Sequence, residues 1–288
     1  MVKTFRELYP FESNWLELDG HQYHYIDEGK GEPFLMLHGN PTWSFYYRNI
    51  IFAFKDTHRC IAPDHMGCGF SDKWQDYPYT LSTHIDNIEK LADYLKLNNI
   101  NLMVHDWGGA IGMGFAIRNP SRIRKIIFLN TAAFLDTKIP FSINLCRLPF
   151  VGDFLIRRLN AFALGALALA IKQRDRLTET VRSGYLAPYS SWADRIAHLR
   201  FVQDIPMTPN VKSYPVIKEI ESKLDMLKKH PIMICWGMKD FCFDHDFLKR
   251  WRGFFPSALV HEFPEAGHYV LEDAHEKIIT LVRNFLKT

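Results

Sequence analysis

Nowhere in these 288 residues is there an unbroken apolar run of the roughly 20 residues that a membrane-crossing helix requires. The most apolar stretch, Ala161 to Ile171, stops well short of that length and reads as a helix lining a greasy cavity or a partner interface. The opening residues, Met1 to Leu8, lack the apolar core of a secretory signal. Cysteine is scarce and odd in number. Cys60, Cys68, Cys146, Cys235 and Cys242 show no zinc-type CxxC spacing, which points to reduced thiols in a cytoplasmic protein. A basic block is also missing: 35 Lys and Arg face 32 Asp and Glu, scattered along the chain, so a nucleic-acid footprint is absent. Local pairs such as Arg157-Arg158 and Lys228-Lys229 read as solvated helix faces. Gly67-Cys68-Gly69 lacks the third glycine and the strand–turn–helix setting of a dinucleotide fingerprint. His21 and His24 fall on opposite faces of one strand, which argues against a metal pair. The expectation is a protein without cofactor or metal.

What the chain does have is apolar material, 47% hydrophobic and 14% aromatic, enough for a sizeable core. Short apolar runs alternate with helical patterns, the signature of an α/β protein with a mostly parallel sheet covered on both faces. Trp15-Leu16-Glu17-Leu18 and Gln22-Tyr23-His24-Tyr25-Ile26 flank Asp19-Gly20 as a hairpin. Six further strands centre on residues 34–37, 59–62, 102–104, 126–129, 232–235 and 259–263, making eight. Helices are expected around 83–97, 109–118, 246–253 and 274–286. In the first of these, Ile85, Ile88, Leu91, Ala92 and Leu95 recur at helical spacing and mark a buried face. Between the sixth and seventh strands about ninety residues intervene, far beyond an ordinary crossover. They are rich in Leu, Ala, Phe and Arg. Residues 135–215 are accordingly expected to form a helical cap over a core domain of 1–134 and 216–288.

Ligands of open parallel sheets bind at the C-terminal strand edge, and polar motifs fall at such edges here. The fifth strand runs into His105-Asp106-Trp107-Gly108-Gly109 and then a helical stretch, the layout of a nucleophile elbow, with Val104 and Gly108 beside the crowded turn. A carboxylate at that turn attacks an electrophilic carbon and forms an ester that must later be broken. The plain alternative is an N-cap aspartate. His268 follows a glycine just after the last strand. It cannot usefully deprotonate an ionised aspartate, so its task is to activate water. Asp240, after the seventh strand, would orient the imidazole, with Asp244 as a nearby competitor. The backbone N–H groups of Asn40 and Trp107 suit an oxyanion hole. Their side chains, a carboxamide and an indole N–H, are neutral donors suited to a leaving anion in an apolar pocket. Packing and turn capping are the bland readings of the same two residues.

With His38-Gly39-Asn40-Pro41-Thr42-Trp43, His105-Asp106-Trp107-Gly108-Gly109, Trp236-Gly237-Met238-Lys239-Asp240 and Ala266-Gly267-His268 in view, the chain resembles the haloalkane dehalogenases of the α/β-hydrolase fold over almost its whole length. The resemblance implies Asp106, His268 and Asp240 as nucleophile, base and acid, and Asn40 with Trp107 as the halide-binding pair. Some relatives carry the acid after the sixth strand. Here that segment, Leu129-Asn130-Thr131-Ala132-Ala133, has no carboxylate. Phe241-Cys242-Phe243 and Tyr189-Ser190-Ser191-Trp192-Ala193-Asp194-Arg195-Ile196 look like the third dehalogenase subfamily, which includes β-lactone decarboxylases of long-chain olefin synthesis.

Two activities are therefore expected of the same residues. The first is dehalogenation, releasing halide and alcohol through an alkyl-enzyme ester. The alternative is conversion of a β-lactone to a long-chain alkene and CO2. Epoxide hydrolysis would need cap tyrosines, for which Tyr185, Tyr189 and Tyr214 are the candidates. A non-catalytic binding protein on this scaffold should have lost a member of the Asp106–His268–Asp240 set, and this chain has not. The implied ligands are a small lipophilic substrate and a halide ion, and the resemblance also allows a homo-oligomer or a complex with pathway enzymes.

Overall fold

The computed structural model describes residues 4–287; Met1, Val2 and Lys3 of the opening run, and Thr288, lie outside the described residues. Eight strands form one sheet: β1 (Asn14–Leu18), β2 (His21–Glu28), β3 (Glu32–Leu37), β4 (His58–Pro63), β5 (Ile100–Asp106), β6 (Ile123–Thr131), β7 (Ile232–Gly237) and β8 (Leu259–Phe263). Their order is β1-β2-β4-β3-β5-β6-β7-β8. Only β2 runs against its neighbours, pairing antiparallel with β1 and β4; the other pairs are parallel. The hairpin between β1 and β2 turns at Asp19 and Gly20, both at positive φ (53° and 83°), as a two-residue turn matched to strand twist requires.

The continuous apolar strands follow from burial on both faces. Successive residues alternate between two cores. Leu102, Val104, Ile126, Phe128, Ile234 and Trp236 face one side, where they pack with Ile85 and Ile88 of α2 (Leu81–Tyr94), Ile111 and Phe115 of α3 (Trp107–Arg118) and Trp251 of α9 (His245–Phe254). Met103, Ile127, Leu129, Met233 and Cys235 face the other, against Ile50, Ile51 and Phe54 of α1 (Arg48–Phe54) and Ile278 and Val282 of α10 (Val270–Lys287). The expected helix at 83–97 sits at Leu81–Tyr94 because the Thr80 hydroxyl caps it by accepting the Thr83 N–H. Its C-terminal end comes early, where Lys96 and Asn99 turn to positive φ. The α1 helix and α8 (Tyr214–Lys223) had no counterpart among the expected helices. Both are short, and their apolar residues become a pattern only beside the elements they cover.

Between β6 and β7 the chain forms α4 (Phe141–Cys146), a π-helical turn at Asp153–Arg158, α5 (Ala161–Leu169), α6 (Glu179–Leu186), α7 (Ile196–Gln203) and then α8. Ile217 and Ile220 of α8 join the core that covers α2 and α3. Among the described residues no helix is long and apolar enough to cross a membrane.

The sheet order reverses between β3 and β5, since the chain leaves β3 towards β4 and later returns on its other side. The crevice at such a reversal is where a doubly wound sheet offers its loops to a ligand. Asn40 and Asp106 lie there.

Candidate active site

Asp106 ends β5 in a conformation few residues tolerate, with φ 51° and ψ −126°. Such a backbone costs roughly 1–3 kcal/mol and persists only where its surroundings impose it. Two glycines allow those surroundings. A Cβ on Gly108 would lie 2.0 Å from the Leu37 carbonyl oxygen, and one on Gly39 would lie 2.0 Å from Oδ1 of Asp106. The β3 loop therefore comes directly against the carboxylate.

The N-cap reading does not describe this aspartate, because its side chain accepts no capping hydrogen bond from α3. Instead Oδ1 accepts the Asn40 N–H at 2.6 Å. The Thr131 hydroxyl holds the Asp106 carbonyl at 2.5 Å. With Oδ1 held by the Asn40 amide, Oδ2 is the oxygen left facing His268, 3.7 Å from its Nε2. The other imidazole nitrogen, Nδ1, meets Oδ2 of Asp240 at 2.8 Å. The competing Asp244 lies elsewhere and caps α9 by accepting the Asp246 N–H.

Two residues unnoticed in the sequence complete this arrangement. Asn130, at the end of β6, donates from Nδ2 to Asp240 Oδ2 at 2.9 Å and accepts the Gly237 N–H on Oδ1 at 2.7 Å. His105 places Nε2 2.9 Å from the His268 carbonyl oxygen and stacks on Tyr46. Neither residue type signals such a role locally. The only hint for Asn130 was its position at the strand end where some relatives carry the acid.

Burial raises the pKa of Asp106, against the opposing pull of His268 and the backbone amides of Trp107 and Asn40. Burial also disfavours the imidazolium of His268, but the charge and hydrogen bond of Asp240, with Asp106 beyond, outweigh it and lift the pKa above the usual histidine value. Burial and the neighbouring charges thus act in opposition on both groups.

Asp106, His268, Asn40 and Trp107 form the polar end of a cavity of about 340 Å³ with mostly apolar walls. Phe134 and Phe243 come from the core side, and Phe162 and Leu169 of α5 from the opposite side. Asn40 spends one N–H of its carboxamide on the His198 carbonyl at 3.1 Å. Trp107 lines the cavity, and among the described residues no protein group accepts its indole N–H. None of Tyr185, Tyr189 and Tyr214 lines the cavity. Tyr185 bonds Glu272, and Tyr189 bonds Gly69 and Thr42, which removes the acid an epoxide would need. Among the described residues no cluster of His, Cys, Asp and Glu is placed to share a metal ion.

Residues 32–275 match the family model described as the alpha/beta hydrolase fold. The chain belongs to that family. Its relatives narrow the branch. It is 50% identical to the cis-3-alkyl-4-alkyloxetan-2-one decarboxylase of Shewanella oneidensis, over 97% of this chain and 89% of that protein. It is 33% identical to haloalkane dehalogenase 2 of Mycobacterium tuberculosis, over 96% of this chain and 95% of the other. Among solved structures, a haloalkane dehalogenase from Agrobacterium tumefaciens C58 superposes with a TM-score of 0.86 at 24% identity, covering 96% of each chain, which speaks for the fold alone. This α/β-hydrolase is an enzyme of the branch that holds both dehalogenases and decarboxylases.

Proposed function

We propose that this enzyme converts a cis-dialkyl β-lactone, a four-membered oxetan-2-one, to an alkene and CO2, with Asp106 as the nucleophile. What supports the lactone over the halide is the 50% identity to a decarboxylase over 97% of the chain, against 33% to a dehalogenase. The apolar cavity above Asp106 suits two alkyl chains. In this reading Oδ2 of Asp106 attacks the alkyl-bearing ring carbon bonded to the ring oxygen, not the carbonyl carbon. The ring carbon–oxygen bond breaks and its electron pair becomes a carboxylate. The carbon–carboxylate bond then breaks, its pair forms the alkene, and the Asp106 carboxylate departs. Lactone enters, alkene and CO2 leave, and no water is consumed. His268, whose imidazolium Asp240 and Asp106 favour, would offset the carboxylate charge during ring opening. Asn40 and Trp107 would offer neutral donors to the same oxygens.

Dehalogenation is the second reading, favoured by the free indole N–H of Trp107. Asp106 would displace halide in line, and water activated by His268 would then attack the ester carbon. The backbone amides of Asn40 and Trp107 would hold Oδ1 as charge develops on it. Residues 135–215 are taken as the cap, and the enzyme as cytoplasmic. A side-by-side assay tests the choice: alkene from a cis-dialkyl β-lactone, against bromide from 1-bromobutane. Alkene formation outpacing bromide release supports the lactone. Bromide without any alkene reverses the order.

A further inference from the structure

Among the described residues, eight of the fifteen exposed large apolar side chains fall within residues 141–169: Phe141, Leu145, Leu148, Phe150, Val151, Phe154, Leu159 and Leu169. Scattered exposure is ordinary for a soluble chain, but concentration on one segment is not. Phe141 is 82% exposed and Phe150 is 90% exposed. The α5 helix, Ala161–Leu169, is apolar on every side, yet only Ala163 and Leu167 are buried. An all-apolar helix normally sits inside a core or a lipid phase. A Cβ added to Gly165 would meet nothing within 4 Å.

Two further observations indicate what covers this face. Leu145 and Leu169 are at once exposed and part of the cavity wall that leads to Asp106. The apolar face is therefore the rim of the substrate cavity. Second, of the six cationic residues in segment 137–174, Lys138 pairs with Asp244 and Asp246 and the buried Arg157 pairs with Asp153, while Arg147, Arg158, Lys172 and Arg174 enter no ion pair among the described residues. Arg158 and Arg174 are exposed and have no carboxylate partner among the described residues. Exposed aromatics within a cationic surround are complementary to an anionic lipid surface, into which the rings insert while the cations meet the headgroups.

We infer that the face built from α4, the π-helical turn and α5 docks on anionic lipid bilayers, with the cavity mouth opening towards the acyl chains. Docking stands on the surface alone. The consequence, that an apolar substrate enters from the lipid without crossing water, rests on the proposed function.

Flotation of the purified full-length protein tests this, with vesicles of phosphatidylcholine alone and of phosphatidylcholine with phosphatidylglycerol. The protein should float with the anionic vesicles, and salt should weaken that binding. The double variant Phe141→Ser with Phe150→Ser should lower partitioning by more than about tenfold, since each ring surrenders its apolar burial. Its melting temperature should match the parent, because both rings are already in water. Arg158→Glu should reduce binding to anionic vesicles and leave the weaker phosphatidylcholine binding alone. Absence of flotation with either vesicle, or equal flotation by the double variant, overturns the inference. So does an oligomer that dissociates in the double variant while no vesicle binds, which would assign the face to a second copy of the chain. None of these readouts needs turnover, so a mistaken substrate would leave the result intact.

Discussion

The carboxamide of Asn130 holds Oδ2 of Asp240 at 2.9 Å, the same oxygen that His268 meets at 2.8 Å. Asp240, just beyond β7, is thus fixed by an amide at the end of β6. Removing it with Asn130→Ala leaves a buried carboxylate short of one donor and the Gly237 N–H without its acceptor. A hydrogen bond to a charged group contributes about 1.5–3 kcal/mol, so turnover should fall by roughly ten- to a hundredfold. Steady-state kinetics would show this chiefly in kcat, because Asn130 does not line the cavity. An unchanged kcat would mean that Asp240 needs no such anchor.

The ester is expected to accumulate when its breakdown is blocked. With 1-bromobutane, His268→Ala should leave a butyl group on the peptide that contains Asp106, seen as added mass. A wholly unmodified peptide after bromide has been released would remove Asp106 from the role of nucleophile.

Isotope labelling separates the two chemistries. Hydrolysis places a solvent oxygen on the Asp106 carboxylate, because water attacks the ester carbonyl. The lactone route returns both original oxygens to Asp106. Turnover in oxygen-18 water should therefore label Asp106 during dehalogenation and leave it unlabelled during alkene formation. Label acquired with the lactone would show that its ester is hydrolysed.

The pH profile of dehalogenation should report His268, whose pKa Asp240 and Asp106 raise against burial. In the proposed role His268 acts when neutral, so the rate should fall as pH drops through that raised value. Asp240→Asn removes the main raising partner. The acid limb should then move to lower pH while the maximal rate falls by a few orders of magnitude, the imidazole having lost its orienting anion. A limb that stays in place would assign it to another group.

Acid should also unfold this protein through histidines that are not catalytic. Burial holds His84 and His198 down to about 3, and no ring nitrogen of either has a partner among the described residues. The unfolded state, titrating near 6.5, binds more protons between those values. Stability is thus complete above about 6.5 and declines as pH falls below it, by about 2 kcal/mol for each residue on going from pH 7 to pH 5. His84→Leu should flatten that decline in urea unfolding at the two pH values. An equal decline in the variant would place the acid sensitivity elsewhere.

Much of this site was legible because its signals are local. An apolar strand that stops at Asp106, followed by two glycines and a helical run, can be read without any distant residue, and so can histidine after Ala266-Gly267. The relay that steadies them was not legible. Asn130 is an ordinary strand-end asparagine until β7 lies beside β6 and brings Gly237 and Asp240 to it. The expected helix near 83–97 was displaced for a similar reason: apolar period locates the buried face, whereas the ends depend on a single cap at Thr80 and on positive φ beyond Leu95.

The order of residues alone determined the layered α/β architecture, the elbow and the identity of the polar groups, because period, glycine placement and residue chemistry are properties of neighbours along the chain. Only the folded molecule decided which aspartate meets His268, which oxygen of Asp106 is free, and where the insertion leaves its aromatics bare. Those depend on distance and exclusion of water between residues far apart in sequence, and the same exclusion sets the proton affinities of the site.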